Sequence, residues 1–215
     1  MGIFSQLENN KGTVSSALGK KLAQEVLNGD TEILTEAVYL SSYNKNDKRS
    51  KNIRSGAAKI VEIVAEKNPD LVAPYLEDLL PALSVYEPQT RWMAVRTMGF
   101  CAHLKESIAS QAIPFAEKYI DSKDGLCLVS SADLFLGDMG ATSKVNAIKV
   151  FPILEKSTKH IILNEQEWLL EAFIKIFKNL ERIEQDKIIA FANEWAESPR
   201  KSTVTRVKKL LKLNF

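Results

Sequence analysis

Residues 132–140 read ADLFLGDMG, and stretches of the same pattern recur at intervals of 37 to 40 residues. Each stretch begins with an alanine, has an apolar residue four positions later, and in three of the four stretches has a small residue eight positions later. Positions i, i+4 and i+8 lie on one stripe of a helix, where small residues let a neighbouring helix approach closely. The sequence therefore predicts four related helices. These helices contain the alanines Ala57, Ala94, Ala132 and Ala172.

A second apolar helical pattern follows each alanine stretch, so each repeat is predicted to be a pair of helices. Pairs of helices that recur at this spacing are typical of a solenoid, in which each unit buries its apolar face against its neighbours. No sustained period-two alternation indicates strands. We predict an all-α fold, a right-handed superhelix of HEAT-type helical hairpins. The predicted pairs are 53–67 with 70–83, 89–104 with 107–120, 126–141 with 144–156, and 165–180 with 183–196.

The chain is predicted to be a single repeat domain with a cap at each end. Residues 1–46 hold two capping helices, the first from about Val14 to Leu27 and the second from Asp30 or Thr31 to Ser42. Residues 47–198 hold about four hairpins, and residues 199–215 form a basic C-terminal capping helix. Pro114 and Pro152 fall near the middle of predicted second helices, where we expect them to bend the helix.

The composition is that of an ordinary globular protein, with 45% hydrophobic and 26% charged residues and a net charge of +2. The basic residues are concentrated at the end, because residues 199–215 hold six bases and no acid. We expect a cytoplasmic protein without membrane contact, since no signal-like segment opens the chain and no apolar run approaches the ~18 residues of a membrane span. Cys101 and Cys127 lie in apolar stretches and are expected to be reduced core residues.

The pattern from Ile53 to Phe215 resembles the HEAT/armadillo superfamily. Proteins of that superfamily are usually scaffolds that bind proteins or nucleic acids along a curved inner surface. The resemblance implies the fold and a binding role, with the second helices lining the concave face. It says little about the partner, because one fold supports many functions.

Two segments resemble the HEAT-like DNA alkylation-repair glycosylases. They are Ile113-Pro114-Phe115 and Phe135-Leu136-Gly137-Asp138, and the basic C-terminal helix also has a counterpart in that family. Where that family carries tryptophans and a catalytic aspartate, this chain has residues 123–129, KDGLCLV, with Val129 in the place of the aspartate. The resemblance therefore implies DNA binding without that chemistry, or a rearranged site.

Asp133 is the acid that stands out in this sequence. The equivalent positions of the other repeats are Ala58, Val95 and Phe173, and an unpaired carboxylate in an apolar column is costly to bury. Asp133 lies one helical turn after Val129. It is a candidate for stabilising a cationic intermediate or partner, or alternatively for pairing with an arginine or capping the backbone between repeats.

Basic and aromatic side chains are the candidate binding residues. Bases in the 43–52 linker and on the C-terminal helix could contact phosphates, and tryptophans on the ridge of a solenoid can stack on bases or anchor peptides. The alternatives are a solvated linker, the polar outer face of a terminal cap, and partly buried packing residues. The candidates are Lys48, Arg49, Lys51, Arg54, Arg91, Trp92, Lys144, Lys149, Trp168, Arg200, Lys201, Arg206, Lys208 and Lys209.

The motifs that carry enzyme chemistry do not occur in the sequence: it has no glycine-rich phosphate loop, no nucleophile elbow and no metal-ligand spacing. Charges on the predicted second helices change sign along the chain, from acidic at Asp70, Glu77 and Asp78 to basic at Lys144, Lys149 and Lys156. This gradient favours a protein partner, or DNA that contacts only the C-terminal half. We therefore predict a non-enzymatic scaffold without a cofactor, with a protein as its partner. The alternative is a DNA-binding relative of the alkylation-repair glycosylases, with or without residual activity.

Overall fold

The computed structural model describes residues 2–10, 17–159 and 161–214, and in these ranges the chain forms helices and no strand. Its contacts divide it into two compact units, Met1–Phe115 and Ala116–Phe215. The all-α prediction is confirmed. Val14, the predicted start of the first helix, lies outside the described residues.

The first unit is built around α4, which packs against α2, α3 and α6. Short 3-10 turns lie between its later helices. The helices are α1 (Ile3–Asn9), α2 (Ala17–Leu27), α3 (Thr31–Leu40), α4 (Lys51–Lys67), α5 (Pro69–Val72), α6 (Pro88–Phe100) and α7 (Glu106–Ala109).

The second unit is built around α9, which packs against α10 and α11, while α11 also packs against α13. The first of the remaining helices, α8, begins three residues before this unit. The helices are α8 (Ile113–Ser122), α9 (Leu126–Thr142), α10 (Lys144–Thr158), α11 (Gln166–Ile176), α12 (Arg182–Glu194) and α13 (Lys201–Leu211).

Prolines break two of the predicted second helices. The predicted helix 70–83 is α5 followed by two separate 3-10 turns, Ala73–Tyr75 and Leu80–Ser84, each with a proline in its first turn. Proline lacks the backbone N–H and clashes with the preceding turn, so it is tolerated at a helix start but breaks a helix interior. Pro114 likewise lies at the second position of α8 instead of mid-helix, whereas Pro152 does lie inside α10.

The repeat alanines lie on the buried sides of their helices. Ala57, Ala94, Ala132 and Ala172 are all fully buried. In the second unit α9 approaches the backbone of α11 closely at Gly137, where an added Cβ would lie 2.7 Å from the Cα of Ala172. The alanine pattern therefore predicts the buried side of these helices correctly.

Some interactions within each unit join residues 33 to 37 positions apart, which is close to the sequence repeat of 37 to 40 residues. In the second unit, Lys175 donates to Asp138 over 37 positions, and the salt bridge between Lys156 and Asp121 spans 35. In the first unit, Arg54 reaches Glu87 across 33 positions. These contacts join the beginning of α4 to the beginning of α6 and the end of α9 to the end of α11, so the two first helices within each unit run in the same direction.

Within the described residues, no helix has both the length and the apolar character needed to cross a membrane. Cys101 is buried but Cys127 is exposed, so the prediction that both cysteines lie in the core is wrong for Cys127. Cys127 lies in the first turn of α9 next to the buried Leu128, and adjacent helical positions point about 100° apart.

Candidate functional site

Asp133 lies in the interior of the second unit, on α9, with its side chain 0% exposed. The equivalent residues Ala58, Val95 and Phe173 are buried as well. The equivalent positions of the four repeats are thus all buried, and only at Asp133 is the buried side chain a carboxylic acid.

Three polar residues accompany Asp133: Lys123 after α8, Ser157 on α10 and Glu165 just before α11. The buried Glu165 carboxylate accepts hydrogen bonds from Lys123 Nζ at 2.6 Å, from Ser157 Oγ at 2.6 Å and from the backbone N–H of Ile162 at 2.8 Å. Glu165 is therefore well satisfied, and it ties the segment before α11 to α10 and to the end of α8.

Neither carboxyl oxygen of Asp133 accepts a hydrogen bond from a described residue. The Oγ of Ser130, one turn earlier on α9, also has no described hydrogen-bond partner. Ser157 is close enough to lower the pKa of Asp133, but its hydroxyl donates to Glu165. The arginine partner considered from the sequence does not occur among the described residues.

Burial raises the pKa of Asp133 well above its ordinary value, and the negative charge of Glu165 raises it further; Lys123 and Ser157 oppose the shift. These effects favour the neutral carboxylic acid, since a charged group without a hydrogen bond is costly in an apolar interior. A neutral, fully covered carboxyl group does not stabilise a cation and is out of reach of a bound base. The arrangement therefore fits a buried structural acid better than a catalytic one.

Arg54 is the predicted phosphate ligand whose position differs most from the prediction, because its side chain is 0% exposed. It makes a double salt bridge to Glu87, with Nε to Oε1 at 2.8 Å and Nη2 to Oε2 at 2.7 Å. Its Nη1 donates to the carbonyl groups of Tyr43, Asn44 and Asp47. Arg54 is therefore not accessible to a phosphate: it holds the 43–47 turn against α4 and the start of α6.

The other linker bases are at the surface. The Arg49 side chain pairs with Asp47 at 3.2 Å, Lys48 lies 4.4 Å from the ring centre of Tyr86, and Lys51 is exposed at the start of α4. Arg91 and Trp92 are half-buried in the first turns of α6. These five residues remain available to a partner, but no described contact brings them together as one site.

The basic residues of the C-terminal helix are largely matched by acids of α11. Glu167 binds Arg200, Ser202 and Thr203, and these hydrogen bonds hold the pKa of Glu167 below its ordinary value against the opposing effect of its burial. Glu171 pairs with Arg206 at 3.2 Å and with Lys209 at 3.7 Å.

The guanidinium of Arg206 also lies 5.6 Å from the ring centre of Trp168. Arg206 and Trp168 thus help to dock α13 on α11. Lys201 and Lys208 remain exposed on the outer side of α13.

The surface formed by α10 and α12, two predicted second helices, carries exposed apolar side chains. Val145 is 75%, Ile148 50% and Ile183 72% exposed. Salt bridges from Lys144 to Glu181 and from Lys187 to Glu155 join the starts of the two helices and then later turns, so α10 and α12 run side by side in the same direction.

A pocket of about 370 Å³ opens between α10 and α12. Phe151, Phe173 and Phe191 belong to its apolar lining, and its charged lining residues are Glu155, Lys159, Lys187 and Glu194. The sequence predicts that second helices line the binding face and that Lys144 and Lys149 are candidates, but it does not reveal the exposed apolar residues or the pocket. Val145 and Ile148 are spaced like an ordinary core stripe, and only the packing shows that α10 turns Val150 and Leu154 inward instead.

The described residues contain no group of three histidine, cysteine, aspartate or glutamate side chains placed to bind a metal ion. No known family matches the chain, and none of the curated proteins is significantly similar to it.

Proposed function

We propose that this chain is a HEAT-type α-solenoid and acts as a non-enzymatic scaffold that binds a protein partner along its second helices. The solenoid is supported by the alanine repeat and by interactions at close to one repeat length within each unit. The resemblance to HEAT arrays supports the assignment of α10 and α12 to the binding face. Asp133 was the candidate catalytic residue in the sequence, and its burial argues against that role.

The observation that carries the proposal is the exposed apolar surface of α10 and α12. Isolated apolar residues are normal on protein surfaces, but three on two adjacent parallel helices, next to an aromatic pocket, are typical of a protein contact. Protein interfaces commonly have such an apolar centre and a charged rim. Lys144, Glu181, Lys187 and Glu155 supply that rim here.

A position-specific cross-link tests the proposal. Benzoylphenylalanine replaces Ile148 in the full chain expressed in cells, and a matched chain carries it in place of Tyr39, which is 68% exposed in the first unit. The adduct formed at Ile148 is identified, and the captured protein is purified alone for an affinity measurement. We expect Ile148→Asp to weaken its binding at least tenfold and Tyr39→Asp to leave it unchanged. Equal effects of the two substitutions would refute this binding face.

DNA binding is the second candidate, favoured by the exposed lysines Lys201, Lys208 and Lys212 on and after α13, none of which forms an ion pair within the described ranges. Fluorescence anisotropy with duplex DNA across a salt series measures it. Three phosphate contacts would give a slope of log affinity against log salt of about −2.7. Such a slope, lost on replacing these lysines with glutamine, would replace the protein proposal if no protein bound at Ile148.

A further inference from the structure

The outward face of α10 combines apolar and basic side chains. At about 100° per residue, six of its exposed residues lie within roughly 100° of arc. Apolar residues occupy the first half of this face, and lysines flank it and dominate its second half. The six are Val145, Ile148, Lys149, Pro152, Lys156 and Lys159.

No exposed acid of α10 lies on this face, and its lysines are only partly neutralised by neighbouring helices. Lys156 pairs with Asp121 at 2.6 Å and approaches Glu117 at 3.9 Å. Lys149 and Lys159 form no ion pair with any residue that the structure describes. The face therefore presents two uncompensated positive charges, one beside the apolar residues and one at the end of the helix.

The aromatic pocket adjoins the same face. Phe151, Glu155 and Lys159 follow each other at intervals of four residues on α10 and line the pocket, which α12 closes on the far side. Lys159 thus belongs both to the pocket and to the outward face. A segment lying along α10 can place one large apolar side chain in the pocket while its acids reach Lys149 and Lys159.

We propose that this face of α10 receives an acidic amphipathic segment of the partner protein, with apolar side chains covering Val145, Ile148 and Pro152 and carboxylates meeting Lys149 and Lys159. The proposal rests on the protein-scaffold function and specifies the partner's chemistry. Apolar anchors at helical spacing are how amphipathic segments usually occupy such surfaces, and opposite charge at the rim sets orientation and association rate more than affinity.

The charge and shape of the face favour a peptide over other anionic partners. A DNA backbone laid on α10 would place phosphates against Val145, Ile148 and Pro152, which offer no hydrogen-bond donor. A membrane-binding helix needs a broad apolar face, usually with aromatic residues, to enter the headgroup region. The exposed apolar residues of α10 are three, and none of them is aromatic.

Designed peptides test the proposal directly. The probe is a fluorescein-labelled 18-residue peptide of leucine and glutamate in which leucines follow a helical i, i+3, i+4, i+7 pattern. One control has lysine at every glutamate position, and a second has the same composition as the probe with the leucine pattern scrambled. Anisotropy with the full chain at physiological salt should give at least tenfold tighter binding of the acidic amphipathic probe than of either control. Equal binding of the basic control would overturn the charge argument.

Variants locate the binding. Ile148→Asp and the pair Lys149→Glu with Lys159→Glu should each weaken the probe at least tenfold, whereas Tyr39→Asp and Lys21→Glu in the first unit should leave it unchanged. All five substituted positions are exposed, so unchanged melting curves serve as the folding control. Preferential binding of duplex DNA or phosphatidylserine vesicles by the same lysines would overturn the proposal.

The outcomes separate this inference from the function on which it rests. A protein cross-linked at Ile148 and weakened by Ile148→Asp, together with no binding of the acidic probe, would leave the scaffold standing and reject the acidic segment. Probe binding unaffected by the α10 variants would reject this face as its site. No cross-linked protein and no probe binding would reject both proposals.

Discussion

Replacing Arg54 with methionine should destabilise the protein without a direct effect on a surface partner. The side chain is fully buried, and all of its hydrogen-bonding nitrogens have partners: Nε and Nη2 bind Glu87, and Nη1 binds three carbonyl groups. Removing one member of a buried ion pair leaves an uncompensated charge and typically costs about 3–5 kcal/mol. For a chain of this length, 1 kcal/mol lowers Tm by about 2–4 °C, which gives a decrease of about 6–20 °C.

Urea and thermal unfolding, followed by circular dichroism, measure this loss. Lys51→Met, at the exposed start of the same helix, is the matched control and should change the free energy of unfolding by less than about 0.5 kcal/mol. The double variant Arg54→Met with Glu87→Met should recover part of the loss, because it leaves no unpaired carboxylate in the core. A loss below about 1 kcal/mol in Arg54→Met, with weaker binding of DNA or protein, would show that Arg54 is a surface ligand.

Three further perturbations test the interior of the chain. Asp133→Asn should be more stable than the wild type at pH 8 and equal to it near pH 4. The raised pKa of Asp133 makes the unfolded state ionise first, so wild-type stability falls by up to about 1.4 kcal/mol per pH unit above about pH 4. Urea unfolding at several pH values checks this, and a difference independent of pH would contradict it. Gly137→Ala should lower the free energy of unfolding by about 1–3 kcal/mol, since its Cβ would meet the Cα of Ala172 at 2.7 Å. Gly56→Ala, whose Cβ would meet only the end of a leucine side chain, should lower it less. Chemical denaturation of both variants ranks the two losses, and the reverse order would contradict the close contact of α9 and α11. A thiol-reactive disulfide reagent should label Cys127 alone in the native chain, because Cys101 is buried and burial raises its pKa to about 12; two labelled thiols before denaturation would refute this.

The helix pattern was predictable where side-chain periodicity decides it. The stretch that opens on Ala132 predicts α9 to within one residue at its C-terminal end, and the small residue at 140 meets α11 as expected, while the contact of Gly137 with α11 was not predicted. Two of the second helices that contain prolines, 70–83 and 107–120, were predicted too long, because the hydrophobic pattern continues through residues that interrupt the helix. The amphipathic segment of α1 was not recognised at all.

The candidate site was less predictable, because the role of a charged residue depends on partners close to one repeat away. Nothing near Arg54 in the sequence distinguishes a surface base from one that pairs with Glu87. Asp133 was recognisable as unusual, since its column is otherwise apolar, but its lack of a hydrogen-bond partner follows from how Ser157 and Glu165 bind each other. The sequence alone does not distinguish the exposed apolar face of α10 from a buried apolar stripe, because the distinction depends on how α10 packs against its neighbours.

The interactions that span close to one repeat length also bear on how the chain folds during synthesis. Loop closure over 30 to 40 residues carries a modest entropic cost, and folding is generally faster when contacts join segments close in sequence. Once a first helix and its successor have left the ribosome, their shared interface can form without waiting for the rest of the chain. In the second unit, α9 and α11 can associate before α13 is made, and Glu167 then remains without Arg200 until the last residues emerge.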